Sequence, residues 1–175
     1  MTTTTHSRTT GIRCSACGEG RLAEKVVTHD VGALLGMPHV KVQSLPALVC
    51  TKCGAVTVGG EALDAISMLL AALILKRGPL DAIEVRYLRR MVGDTQDQFA
   101  QRLKVDRATV NRWENTSAPI TGTAAYAIRS HAFFRLRRKS QFIENVAEAF
   151  VEPAKPGRRP RPSAYRIDAA VLVAA

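Results

Sequence analysis

Two cysteine pairs carry the most specific chemistry in the sequence: Cys14-Ser15-Ala16-Cys17-Gly18 and Cys50-Thr51-Lys52-Cys53-Gly54. Each C-x-x-C-G segment reads as a knuckle, a tight turn that aims two sulfurs at one point while the glycine takes up the backbone twist. Two knuckles make a closed four-thiolate site with no position left for water or substrate. Soft ligands in that geometry suit one structural zinc ion per chain, held by Cys14, Cys17, Cys50 and Cys53. A redox dithiol, unrelated buried cysteines and an iron–sulfur centre are the competing readings, and the paired spacing favours zinc. The histidines His6, His29, His39 and His131 lack ligand spacing to one another and read as ordinary polar or partly buried residues.

A second constellation runs from Asp94 to Glu114. Thr95 can cap a helix whose Phe99, Ala100 and Leu103 point inward, and Asp106 can cap a second whose Val110 and Trp113 point inward. With Val110 and Trp113 buried, Ala108, Asn111, Arg112 and Asn115 fall on the opposite face, with Arg107 and Thr109 at its edges. Such a face suits the major groove of double-stranded DNA. Arginine can bond guanine O6 and N7, asparagine can pair with adenine, and the methyl groups of Ala108 and Thr109 can touch a thymine methyl. Gln96, Arg102 and Lys104 are placed to hold phosphates, which sets register and not sequence. A helical hairpin with a solvated charged face is the plain alternative. The coincidence of caps, buried positions and basic outward face favours a helix-turn-helix.

Charge supports the same assignment. The net charge is +10, and between Lys76 and Ser140 fourteen Lys and Arg stand against six Asp and Glu, so that stretch alone carries +8. A polyanionic partner fits such a distribution better than an acidic metabolite or a neutral ligand does. No Ser/His/Asp arrangement, phosphate-cradling loop or open metal site appears, so the chain does not read as an enzyme. The polar, Thr-rich first ten residues carry no apolar signal region, and the apolar run Leu63 to Leu75 is too short to span a bilayer. A cytoplasmic protein without a membrane partner is expected.

These sites need elements to hold them. Residues 1–12 read as disordered. Residues 13–60 read as a small zinc-binding module with β-type runs at Lys25 to Thr28 and Val40 to Gln43, and residues 61–78 as a linking helix stopped by Gly78-Pro79. Residues 79–150 read as a helix-turn-helix domain of five helices, about Asp81 to Val92, Gln96 to Leu103, Arg107 to Asn115, Gly122 to Lys139 and Gln141 to Phe150. The Pro/Arg-rich tail, 151–175, reads as unstructured. Its Lys155 to Pro162 run resembles arms that enter a minor groove, against the preferred reading of a solvated tail, while Ala169 to Ala175 is apolar enough to pack on a partner or form an edge strand. The expected fold is mainly α: a small β-containing zinc ribbon with four cysteine ligands, a linking helix and a five-helix domain.

Thr95-Gln96 through Arg112-Trp113-Glu114 resembles the Xre/Cro helix-turn-helix family. A CxxC pair, a second about thirty residues later, a linking helix and then this domain together resemble the MqsA-type antitoxins with their YgiT-type zinc finger. The resemblance covers roughly residues 13–140. It implies zinc at the four cysteines, a homodimer formed through the helix-turn-helix half, repression of the protein's own promoter at a palindromic operator, and binding of a toxin protein by the zinc half. It places the family's base-reading arginine on Arg112. The family's second base-reading residue, an asparagine, falls on Ala108, so a different operator is expected. A stand-alone transcription regulator with no toxin, or a zinc-ribbon protein-binding module, is the alternative.

Overall fold

The computed structural model describes residues 9–139, 143 and 165–170. Its N-terminal part is an antiparallel sheet: β1 (Thr9–Arg13), β2 (Arg21–Asp30), β3 (Val40–Cys50) and β4 (Val56–Thr57), in that spatial order, with a one-turn helix α1 (Gly32–Leu35) between β2 and β3. Alternation along β3 sets its faces: Val40, Val42, Leu45 and Ala47 are buried while Lys41, Gln43 and Pro46 are exposed. The two β-type runs expected from sequence lie within much longer strands. β1 also begins inside the segment read as disordered, because Thr9 to Arg13 pairs with β2 and the Thr10 hydroxyl donates to the Leu22 carbonyl at 2.7 Å.

A long apolar helix, α2 (Gly60–Lys76), leads to four further helices, α3 (Ala82–Met91), α4 (Gln96–Leu103), α5 (Arg107–Asn115) and α6 (Gly122–Leu136). The sequence boundaries for α4 and α5 match these to the residue. Ile143 is helical and buried, and the rest of the expected helix at 141–150 lies outside the described residues. A two-way backbone bridge between Leu80 and Ile120, at 2.9 and 2.8 Å, ties the entry of α3 to the connection between α5 and α6.

The largest departure from expectation is at the C-terminus. The tail read as unstructured contains β5 (Tyr165–Asp168), which runs parallel to β3 in register Val40–Tyr165 to Gln43–Asp168. One edge of β3 therefore carries β5 along its first third and β4 at Leu48–Val49. Tyr165, Ile167 and Ala169 are buried; residues 171–175 and the Lys155 to Pro162 run lie outside the described residues.

Sheet and helices do not form separate cores. A single cluster of buried side chains runs from Val31, Val40, Val42 and Leu45 through Ile66, Leu70 and Leu75 of α2 to Leu88, Phe99, Val110 and Ile128, and on to Tyr165 and Ile167. The expected linking helix is thus a packed central element, buried through Ile66, Leu70, Ala71, Ala72, Ile74 and Leu75. A second, small cluster of Cys14, Leu22 and Cys50 sits at the far end of the sheet. With six helices and five strands among the described residues, the protein is a mixed α and β structure and less predominantly helical than the sequence reading implies.

Candidate metal centre and nucleic-acid interface

The two cysteine knuckles fold alike. In each, the glycine after the second cysteine donates its N–H to the carbonyl of the first, Gly18 to Cys14 at 2.8 Å and Gly54 to Cys50 at 3.1 Å. Both glycines have left-handed backbones, φ 70° and 73°, where a side chain would be strained. The backbone then turns its amides on the sulfurs: Gly20 N–H approaches Cys17 Sγ at 3.4 Å, and Lys52 and Cys53 N–H approach Cys50 Sγ at 3.4 and 3.5 Å. The Gly20 amide pulls the Cys17 thiol down to about 7, and the amides of Cys53 and Lys52 lower that of Cys50. For Cys53 the Ala55 amide also lowers it, but hydrogen bonding to neighbouring thiols and burial prevail and push it up to about 11.

All four sulfurs lie within 4.8 Å of one another, with Cys14 and Cys53 3.7 Å apart and Cys17 and Cys50 3.8 Å apart. A zinc–sulfur bond of about 2.3 Å in a tetrahedron gives sulfur–sulfur edges of roughly 3.8 Å. The donor set and spacing therefore fit a structural zinc ion, held by Cys14, Cys17, Cys50 and Cys53. When bound, such an ion supplies a cross-link between the two knuckles where the local apolar cluster is only a few side chains. Gly20 is locally required, since a Cβ there would run into Cys50 Sγ.

At the other end of the molecule, α4 and α5 form a two-helix unit joined by a short turn. Thr95 caps α4 as expected: its hydroxyl accepts from Gln98 N–H at 3.2 Å, while Gln98 Oε1 accepts from Thr95 N–H at 2.9 Å. Lys104 ends α4 in a left-handed conformation, φ 58°. Asp106 has the extended backbone of a cap but makes no side-chain capping bond, which corrects the expectation for that residue.

The α5 helix places its residues much as the sequence periodicity requires. Val110 is fully buried and Trp113 half-buried against the core; Arg107, Ala108, Asn111 and Arg112 are exposed, Asn115 is exposed as well, and Thr109 is half-buried at the edge. Arg112 NH2 rests on Thr109 Oγ1 at 3.2 Å, and Asn115 Nδ2 donates to Asn111 Oδ1 at 3.0 Å, so the outward polar groups form a loosely bonded row. Arg107 makes an exposed ion pair with Asp97 at 3.6 Å, worth less than about 1 kcal/mol and easily given up.

Two of the expected phosphate-binding residues are also tied to the fold. Gln96 Nε2 donates to Glu114 Oε2 at 2.9 Å, and the Arg102 guanidinium pairs with the buried Asp94 carboxylate. Lys104 is exposed. Asp94 Oδ2 is also bonded to His131 Nε2 of α6 at 2.9 Å, and its backbone carbonyl accepts from Arg89 at 2.8 Å.

Sequence reasoning missed Glu114, which is 3% exposed and central to this unit. Its carboxylate accepts from Arg89 Nε at 2.5 Å, Arg89 NH2 at 3.1 Å and Gln96, while Arg86 donates to its carbonyl at 2.7 Å and to Asn115 Oδ1 at 3.3 Å. Burial raises its pKa, but the bonds to Arg89 and Gln96 and the charges of Arg89 and Arg86 outweigh that and hold it low. The signal was available: Glu114 lies four residues after Val110, on the same inward face, where a carboxylate needs a cation.

Residues 85–130 match the Helix-turn-helix family. The matched segment runs from α3 into α6 and is of the Xre/Cro type, which supports a DNA-binding transcription regulator. No curated protein and no solved structure matches the chain. Among the described residues, no helix is long and apolar enough to cross a membrane.

Proposed function

We propose that this protein is a sequence-specific transcriptional repressor that binds a palindromic operator as a homodimer and reads bases through α5. The observation that carries the reading is the disposition of α5: Val110 and Glu114 anchor one face, and Arg112 stands exposed on the other beside Ala108 and Asn111. A guanidinium exposed on that face can take guanine O6 and N7 together, and the +8 charge of residues 76–140 favours approach to a duplex. Two copies would set their α5 helices about 34 Å apart, in successive major grooves. Gln96, Lys104 and Arg102 would hold phosphates, with Gln96 oriented by Glu114 and Arg102 by Asp94. The four-cysteine centre would be a structural zinc site, and the chain non-catalytic and cytoplasmic.

The paired knuckles ahead of the helix-turn-helix extend the proposal to an autoregulating antitoxin of the MqsA type, whose sheet half would bind a toxin protein. Binding-site selection with purified, zinc-loaded protein tests the first part: a symmetric consensus with half-sites one helical turn apart supports it, and enrichment of no sequence refutes it. Co-purification with the product of an adjacent small gene, and rescue of growth when the two are co-expressed, tests the second.

A further inference from the structure

The C-terminal strand joins the two ends of the protein in a way that neither the cysteine site nor the DNA-reading helix requires. Its backbone extends the sheet: Tyr165 N–H donates to the His39 carbonyl and Ala169 N–H to the Gln43 carbonyl, both at 2.9 Å. Its first side chain reaches the helices. The Tyr165 hydroxyl donates to Glu84 of α3 and accepts from Arg77 NH1, just after α2, at 3.0 Å, while the same Arg77 nitrogen bonds Glu84 Oε1 at 3.1 Å. Arg77 also lies over the Tyr165 ring, 5.4 Å from its centre. Glu84 is 1% exposed and turns its other oxygen to the Asp81 N–H at 2.8 Å, fixing the first turn of α3.

We propose that β5 is a strap that makes the cysteine-bearing sheet and the helix-turn-helix unit a single cooperative body. The same strand β3 carries Cys50 at one end and pairs with β5 at the other. Through Tyr165 of β5, that strand is linked to Arg77 at the end of α2 and to Glu84 in the first turn of α3, and α3 in turn holds α5 through Arg86 and Arg89. A perturbation of the sheet is thereby felt at α5. Ejecting β5 would strip the Val40–Gln43 stretch of one β3 edge, withdraw Tyr165, Ile167 and Ala169 from the shared core and take the Tyr165 hydroxyl away from the buried Glu84 carboxylate, a change that loosens the sheet from the helices.

The full-length, zinc-loaded protein tests this without DNA, so the outcome is independent of the operator-binding proposal. Trp113, the one tryptophan in the sequence, reports on α5 by fluorescence, and hydrogen exchange of the Val40–Cys50 amides reports on the sheet. In the wild type, guanidinium midpoints from the two probes should coincide, and Val40–Gln43 and Val85–Leu88 should share one opening free energy. Separate midpoints in the wild type would overturn the proposal outright. In Ile167→Asp, which places a charge at a buried position of β5, the two transitions should separate and exchange at Val40–Gln43 should speed up by on the order of a hundredfold. Tyr165→Phe should keep coincident midpoints at a lower denaturant concentration. Coincident midpoints in Ile167→Asp together with accelerated exchange would show that α2 and the shared core carry the coupling alone, and the strap would be refuted.

Discussion

The Arg89 guanidinium grips the Glu114 carboxylate with two nitrogens, Nε at 2.5 Å and NH2 at 3.1 Å, and so fixes the end of α5 against α3. The pair is nearly dry: Glu114 side-chain exposure is 2% and that of Arg89 12%. Removing one member of a buried pair costs about 3–5 kcal/mol when nothing else faces the charge, and here Gln96 at 2.9 Å and Arg86 at 3.8 Å remain on Glu114, which puts the loss of Arg89 at the lower end of that range. Arg89→Met should therefore destabilise the protein by about 3 kcal/mol in denaturant titrations followed by Trp113 fluorescence, and Glu114→Gln, which retains shape and one acceptor, by less.

The same pair gives a pH dependence with a definite sign. Because Arg89 and Gln96 hold the Glu114 pKa below its ordinary value, the unfolded chain binds more protons than the folded one as Glu114 titrates. Its contribution is full above the unfolded-state pKa of about 4.3 and is lost as pH falls through the lowered folded value. Melting temperatures measured between neutral pH and pH 3 should fall more steeply for the wild type than for Glu114→Gln, and parallel curves would contradict the assignment.

Base reading and phosphate holding are separable by their sequence dependence. Arg112→Ala should cost about 1–3 kcal/mol on the selected operator and relax the preference at one base pair per half-site. Lys104→Ala should weaken operator and random DNA alike and reduce the salt slope by about one. Equal losses on both DNAs for Arg112→Ala would remove it from the reading face.

At the cysteine centre, Gly20→Ala should weaken metal binding although it removes no ligand, because the added methyl meets Cys50 Sγ and the Lys52 backbone. Native mass spectrometry should find one zinc per wild-type chain and sub-stoichiometric zinc in Gly20→Ala. Chelation should increase hydrogen exchange first at Cys14–Gly20 and Cys50–Gly54.

For the helix start, Thr95→Ala removes the hydroxyl that accepts from Gln98 N–H and should cost about 1 kcal/mol in a thermal or denaturant melt. The neighbouring Asp106→Ala should cost much less, since Asp106 makes no side-chain capping bond.

Local patterns were read well from the sequence and distant ones poorly. The knuckles, the Thr95 cap and the bounds of α4 and α5 depend on residues a few positions apart, and the spacing of Cys14, Cys17, Phe99 or Val110 records them directly. Trp113 was placed on the correct side but is only half-buried. For Glu114 the inward position follows from Val110 one turn earlier, but its partner does not, because Arg89 stands 25 residues away on another helix. The strand at Tyr165 was missed for a stronger reason. Four residues of alternating burial, in a tail rich in Pro and Arg, carry too little periodicity to announce a strand, and their partner on β3 is set by tertiary packing. The same blindness made α2 look like a connector, since its apolar faces serve both the sheet and the helices.

The pairing of Tyr165 with Val40 also dictates an order of events during synthesis. Some 125 residues separate the two partners, so β3 is made long before the strand that completes its edge. At about 5–20 residues per second, that edge waits roughly 6–25 s on the ribosome with unpaired backbone groups next to an apolar face. Newborn chains are therefore open to mispairing with one another during that interval, and their demand for chaperones should be greatest then and fall once β5 emerges.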